Sequence, residues 1–153
     1  MSARDVLDKA MTLKLPFPVR DLSPNARVHW RKRAAVVAAF REECGWTAVT
    51  DYPKSSWNGD WPLRAPVEAT VTFVVPDRRR RDLDNLCAML KPAWDGLVDA
   101  GVLAGDDHTQ FKVVDANVIV RNKQNACVVV ELQSLGDSGK VRETKNPRRA
   151  AGA

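Results

Sequence analysis

The residues best suited to chemistry lie near the middle of the chain, where four arginines stand directly beside two aspartates. Arg78–Arg81 is followed at once by Asp82, Leu83, Asp84 and Asn85. Guanidinium groups suit phosphate because they stay charged and offer paired donors. Carboxylates would repel phosphate unless a cation stood between them, and Mg²⁺ takes oxygen ligands while sharing its shell with phosphate and water. This segment therefore predicts a phosphate site that contains a divalent metal ion.

Two further polar groups could join this site. At about 100° per residue, a helix would place Asp84, Lys91 and Asp95 on one face, with the apolar residues opposite. Pro92 either kinks that helix or marks the first turn of a separate one. Asp106–Asp107 adds a second acid pair in the loop that follows. If the helix returns the chain to the same end of the sheet, the carboxylates would converge, and bound cations would relieve their repulsion.

The same residues also admit a purely structural interpretation. Asp82 or Asp84 could cap a helix N-terminus, where acids satisfy free amides and the helix dipole. Arg78–Arg81 could be a solvated face that pairs with them, and Asp106–Asp107 could form a turn. His108 lies near enough to the acid pair to touch a metal-bound water, but an exposed loop histidine is the favoured interpretation. The isolated motifs leave both interpretations open.

Composition and charge limit the possible functions. The net charge of +5 suggests a polyanionic partner, yet residues 138–153 hold five basic residues against one acidic, so most of the excess lies there. Cys44, Cys87 and Cys127 are odd in number and widely spaced, which indicates reduced core thiols. No apolar run approaches the roughly 20 residues that cross a bilayer, and a signal segment is absent, so we expect an intracellular protein without a membrane partner.

Hydrophobic periodicity predicts the elements that must position these residues. Alternation predicts strands at 11–15 and 67–75. The stretch at about 28–44 predicts an amphipathic helix with a cationic outer face, and its apolar residues are Trp30, Ala34, Val37, Ala38 and Phe40. Residues 49–66 lack a period and predict a loop. The helical spacing of the apolar residues from Leu86 to Leu97 predicts a second helix. The runs 111–120 and 126–132 predict an antiparallel hairpin. This β-α-β-α-β-β order indicates an α/β (α+β) two-layer sandwich, in which both helices pack on a small mixed sheet. We expect an N-terminal arm at 1–10, one domain at 11–134 and a disordered basic tail at 135–153.

The chain resembles the RusA family of Holliday junction resolvases, including their phage-borne relatives, over roughly residues 12–132. Its opening resembles the family's first strand and Asn-containing loop: Leu15-Pro16-Phe17-Pro18, then Ser23-Pro24-Asn25-Ala26-Arg27-Val28-His29-Trp30. The more specific residues follow the family's D-x-D-N, Lys, D-x-L, A-G and D-D order: Arg80-Arg81-Asp82-Leu83-Asp84-Asn85-Leu86, Lys91, Asp95-Gly96-Leu97, Ala100-Gly101-Val102 and Asp106-Asp107. Asp84 and Lys91 are about two helical turns apart here, against one turn in the simplest family pattern.

The resemblance implies a homodimer that binds four-way DNA junctions and makes paired symmetric nicks with Mg²⁺, for which Mn²⁺ could substitute. Such an enzyme would act in DNA recombination and repair or phage DNA processing, in the cytoplasm of a bacterial cell or phage-infected host. Asp82, Asp84 and one of the Asp106–Asp107 pair would be metal ligands, and Lys91 would match the family's required lysine. One extra residue, Gly105, precedes the acid pair. The resemblance therefore leaves open whether Asp106 or Asp107 binds the metal, and we favour Asp107. The predicted catalytic residues are Asp82, Asp84, Asp107 and Lys91.

DNA would be held through its backbone rather than read by sequence. The residues predicted to contact phosphate are Arg78, Arg79, Arg80, Arg81, Arg27, Arg31, Lys32 and Arg33. Trp57, Trp61 and Phe111 could stack on unpaired bases, although large aromatics are more often core or interface residues. Two alternatives remain open: a related metal nuclease acting on flaps or forks, and a non-catalytic module that binds branched DNA.

Overall fold

The computed structural model describes residues 10–51 and 62–135. The strands are β1 Ala10–Pro16, β2 Val67–Val75, β3 Phe111–Val120 and β4 Cys127–Ser134. The helices are α1 Trp30–Asp51, α2 Leu83–Ala88 and α3 Lys91–Asp99, and a short 3-10 turn covers Arg20–Leu22. No helix in these ranges combines the length and apolar character that crossing a membrane requires. Trp57 and Trp61 lie outside the described residues, as do the predicted N-terminal arm, apart from Ala10, and the basic tail beyond Leu135.

The four strands form one mixed sheet in the order β1-β4-β2-β3. Alternate side chains of β1 and β2 point to the helix layer, as the period-2 pattern predicts. The buried residues of this face include Met11, Leu13, Leu15, Val67, Ala69, Val71, Phe73 and Val75. The opposite face carries Thr12, Lys14 and Glu131, which are exposed. The predicted two-layer α/β sandwich is confirmed.

The predicted hairpin between the last two strands is wrong. β3 pairs with β2 in parallel, whereas β4 inserts antiparallel between β1 and β2. Among the described strands, only β2 has no exposed residue, and a strand this buried satisfies its backbone best with a partner on each side. The connection 121–126 crosses the end of β2, where the Arg121 N–H donates to the Val75 carbonyl at 2.9 Å. The two strand spacings to be crossed amount to about 10 Å, which this loop can span.

The first helix differs from its prediction in length and in its buried face. α1 continues to Asp51, so residues 49–51 are helical rather than part of a loop. Phe40, Cys44, Gly45 and Ala48 are buried, while Trp30, placed on the apolar side by the sequence pattern, is 68% exposed. Val36 and Val37 are the first residues of α1 that pack against the core, so the core-facing stripe begins about two turns later than the sequence suggested.

The second predicted helix is divided in two. α2 ends at Ala88, and α3 begins at Lys91 with Pro92 in its first turn. Proline is tolerated there because the first amides of a helix have no partner within it. The second of the two interpretations of Pro92 is therefore correct. The break sets the direction of α3 independently of α2, so the two no longer form one polar stripe from Asp84 to Asp95.

Candidate functional site

The arginine run forms an ordered turn after the carboxyl end of β2. The Asp77 carboxylate accepts from the Arg79 N–H at 3.0 Å and from the Arg81 guanidinium at 2.9 Å. The same guanidinium donates to the carbonyls of Asp77 and Arg79. These bonds, first that of the Arg79 amide and then that of Arg81, hold the pKa of Asp77 below its usual range. Arg81 is therefore a structural cation of the turn.

The other arginines of the run face solvent. Arg78, Arg79 and Arg80 are exposed, and Arg79 reaches Asp77 only at 3.8 Å. Within the described residues no hydrogen bond or ion pair engages the Arg78 or Arg80 side chain. A fixed turn therefore presents three exposed cations, a geometry suited to the oxygens of a phosphate chain.

Asp82 caps the helix that follows, which confirms this part of the structural interpretation. Its Oδ1 accepts from the Asp84 N–H at 3.0 Å and the Asn85 N–H at 3.4 Å. Asp84 lies in the first turn of α2 and is exposed, with no hydrogen bond or ion pair to its carboxylate among the described residues. Two neighbouring carboxylates thus keep oxygens free for an external cation, directly beside the arginine turn.

Asn85 connects this helix to the loop before α1. Its side-chain amide donates to the Ser23 hydroxyl at 2.9 Å, and that hydroxyl also accepts from the Asn25 N–H. Ser23 is 8% exposed, so the bond is shielded from water. The Arg33 guanidinium donates to the carbonyls of Ser23 and Ala26. The loop therefore buttresses the start of α2.

The basic residues predicted to contact DNA at the start of the first helix and just before it differ in what they bind within the chain. Arg33 is committed to the loop carbonyls just described, and Lys32 pairs with Asp21 at 3.4 Å. The Arg31 guanidinium lies 5.2 Å from the centre of the exposed Trp30 ring. Arg27 and Arg31 form no ion pair with the described residues. They remain available to a polyanion, whereas Arg33 has a structural task.

Lys91 is held between two carboxylates. Its ammonium group donates to Asp95 Oδ1 at 2.9 Å and also contacts Asp106 Oδ2. The bond to Asp106, followed by that to Asp95, raises the pKa of Lys91. The same bond to Lys91 is the main cause of the lowered pKa of Asp106. Lys91 therefore neutralises part of the negative charge of Asp95 and Asp106, and both carboxylates engage its ammonium group.

Asp107 organises the turn into β3. Its Oδ1 accepts from the Thr109 N–H at 2.9 Å and contacts the Thr109 hydroxyl, and its carbonyl accepts from the amides of Gln110 and Phe111. The hydroxyl and amide of Thr109 lower the pKa of Asp107. Phe111 is buried and packs against Trp94 at 4.9 Å between ring centres. Phe111 is therefore a core residue and is not free to stack on bases. His108 is an exposed loop residue, as the favoured interpretation expected.

The four predicted metal ligands form two groups. Asp82 and Asp84 begin α2, whereas Asp106 and Asp107 lie in the loop before β3, where Asp106 contacts the Lys91 ammonium group. Across residues 10–51 and 62–135, no three Asp, Glu, His or Cys side chains are arranged to hold a metal ion. Binding of one ion by residues of both groups stays a prediction.

Sequence reasoning gave Asp77 no role and did not identify the partners of Asp95 and Ser23. Asp77 stands two positions before Arg79, a spacing typical of an Asx turn that could have revealed its role. Asp95 lies four positions after Lys91, the spacing of a helical ion pair. Ser23 carries no such signal, because its partner Asn85 is distant in the chain.

Comparison with known proteins gives two partial similarities. No family model matches the chain. It is 39% identical over 90 residues to a Xylella fastidiosa protein named only as uncharacterized, covering 58% of this chain and 56% of that protein. It is 33% identical over 64 residues to a protein of Aquifex aeolicus named crossover junction endodeoxyribonuclease RusA, covering 42% of this chain and 48% of that protein. The chain thus spans about half the length of these curated relatives.

Proposed function

We propose that the protein is an endodeoxyribonuclease that acts on branched DNA, with the four-way junction as its substrate. The observation that carries this proposal is the fixed turn of exposed Arg78–Arg80 beside the free carboxylate oxygens of Asp82 and Asp84. The partial similarity to the Aquifex aeolicus RusA protein supports the same class of activity. The exposed arginines would bind successive backbone phosphates, with Arg27 and Arg31 extending the cationic surface.

The proposal includes a divalent ion, Mg²⁺ or Mn²⁺, and the geometry limits which residues could bind it. Mg²⁺ usually takes one or two carboxylates and completes its shell with water and substrate phosphate. Asp82 and Asp84 fit such a two-carboxylate site, because the helix cap uses only Oδ1 of Asp82 and Asp84 has no competing partner in the described chain. When bound, the ion would supply a Lewis acid at the attacked phosphate. The residues of the chain would orient that phosphate and screen its charge.

The second candidate is a non-catalytic module that binds branched DNA. Three contacts favour it: the helix cap by Asp82, the bridge from Lys91 to Asp106, and the turn bond of Asp107. Each gives an acidic residue a structural task that needs no metal. In that case the acidic residues would only hold the arginines in position. The protein would then cleave neither junctions nor flaps nor forks.

The deciding experiment compares cleavage of a synthetic four-way junction, a fork, a flap and a linear duplex, with Mg²⁺, with Mn²⁺ and with neither. Asp84→Asn removes a carboxylate that has no structural partner, and Glu131→Gln on the open face of the sheet is the matched control. We expect Asp84→Asn to abolish junction cleavage and to retain junction binding, while Glu131→Gln leaves both unchanged. A wild-type protein that binds the junction but cuts no substrate with either metal would establish the binding module instead.

A further inference from the structure

Trp30 is a large aromatic side chain that the fold leaves in water. It begins α1 and is 68% exposed, whereas the helix first packs against the core at Val36 and Val37. An indole ring offers a broad flat surface for contact with other rings. The position of Trp30 is therefore not explained by packing of the core.

The ring is held in place by its two neighbours in the chain. The His29 imidazole stacks with it, at 5.7 Å between ring centres and 28° between ring planes. His29 Nδ1 also accepts from the Arg31 N–H at 3.2 Å, and the Arg31 guanidinium lies 5.2 Å from the centre of the Trp30 ring. These contacts restrict the indole while leaving most of the residue exposed. A ring that is already held loses little conformational freedom when a flat ligand stacks on it.

The charge around Trp30 is positive. Arg27 and Arg31 form no ion pair with the described residues, and the first turn of α1 contains no acidic residue. A ligand that matches both the ring and the cations must combine flat aromatic groups with negative charge. A nucleotide strand has this chemistry, since its bases stack on aromatic side chains while its phosphates bind arginine.

Trp46 provides a contrast within the same helix. It is 65% exposed, yet it lines a groove together with Glu42 and Asp99, and Glu43 lies close before it in the helix. The phosphates of a nucleotide strand would meet like charge there. Exposure of an aromatic ring alone therefore does not select nucleic acid, and the unpaired arginines beside Trp30 do.

The ligand must offer an uncovered base. In a duplex the neighbouring base pairs cover both faces of each base, so a side chain stacks most readily on an unpaired one. The segment before Trp30 is fixed, because the Arg33 guanidinium donates to the Ser23 and Ala26 carbonyls at 3.1 Å and 2.9 Å. Ser23 also accepts from Asn85 of α2. The ring is thus attached to the loop that buttresses α2.

We propose that Trp30 binds one unpaired base of single-stranded DNA by stacking, while Arg27 and Arg31 contact the adjoining phosphates. His29 and Arg31 hold the ring in place for that contact. The choice of DNA over RNA rests on the proposed function. The stacking site itself requires no cleavage and serves an enzyme and a binding module alike.

Fluorescence anisotropy with a short labelled oligothymidylate, in the presence of EDTA, measures binding without cleavage. Trp30→Ala removes the ring at an exposed position, Trp30→Phe keeps an aromatic ring, and Trp46→Ala is the matched control at nearly the same exposure on the same helix. We expect Trp30→Ala to raise the Kd at least about fivefold, the lower end of the loss when a stacking ring is removed. Trp30→Phe should restore part of the affinity, and Trp46→Ala should leave the Kd unchanged.

A strand of equal length made of abasic sites separates stacking from charge. It offers the same phosphates and no base, so wild type and Trp30→Ala should bind it with the same affinity, and they should also bind a linear duplex equally well.

Three results would overturn the proposal: equal weakening by the two alanine variants, the same loss on the abasic strand as on the oligothymidylate, or a wild type that does not prefer the oligothymidylate to the abasic strand. An oligouridylate bound more tightly than the oligothymidylate would overturn the assignment to DNA. These binding measurements are separate from the junction-cleavage assay, so each of the two proposals can fail without the other.

Discussion

Replacing Gly96 with alanine tests the helix contact that fixes α3, and with it Lys91 and Asp95. A Cβ on Gly96 would lie 2.2 Å from the Arg41 carbonyl oxygen and 3.3 Å from the Gly45 amide nitrogen. Ordinary contact begins at 3.4 Å. Both neighbours are backbone atoms of α1, so no side-chain rotation can relieve the overlap. The two helices must instead separate by about 1 Å, and interiors packed this densely resist such a change.

Two opposing terms set the size of the effect. Alanine favours a helix over glycine by about 1 kcal/mol. Overpacking a tight contact usually costs about 1–3 kcal/mol, and a backbone clash belongs at the upper end of that range. The net expectation for Gly96→Ala is a loss of about 2 kcal/mol in the free energy of unfolding, or a melting temperature lower by about 4–8 °C.

Urea unfolding of the full chain measures this loss, and two other glycines serve as comparisons. Gly45→Ala should cost less, because its Cβ would meet the Gly96 carbonyl oxygen at the milder distance of 2.9 Å. Gly101→Ala meets no atom within 4 Å but has φ +82°, so it should cost about 1 kcal/mol through conformation alone. A Gly96→Ala protein as stable as wild type would refute the close approach of α1 and α3.

Two further predictions concern charge. The Arg41 guanidinium, mainly through its hydrogen bonds, holds the pKa of Asp99 below its usual range, so this pair stabilises the fold above the ordinary carboxylate pKa and is lost as the pH falls through the lowered value. The melting-temperature difference between wild type and Arg41→Gln should therefore be fully present near pH 7 and shrink as the pH falls below the ordinary carboxylate pKa of about 4. Arg80→Ala should weaken junction binding and lower the slope of log affinity against log salt by about 1, and an unchanged slope would place Arg80 outside the DNA contact.

The sequence was informative wherever side-chain alternation met burial. β2 was placed at its observed limits because its apolar positions alternate cleanly, and β3 was placed at its limits because the run is rich in β-forming residues. Pairing was not predictable in the same way. β3 and β4 are adjacent in the chain with a short polar connection, and a hairpin has the same sequence pattern. The burial of β2 instead requires a partner strand on each of its two sides. This requirement depends on the whole sheet and is not visible in any short stretch of sequence.

The contact between Lys91 and Asp106 was missed as well, because the two residues are distant in the chain and meet only in the fold. We also predicted that bound cations would relieve the repulsion between clustered carboxylates, but Lys91 already supplies a positive charge to Asp95 and Asp106 from within the chain. Repulsion therefore gives no support for a metal at the second acid pair. Support for Mg²⁺ comes instead from the start of α2, where acids and exposed arginines are adjacent and no cation within the described residues reaches the Asp84 carboxylate.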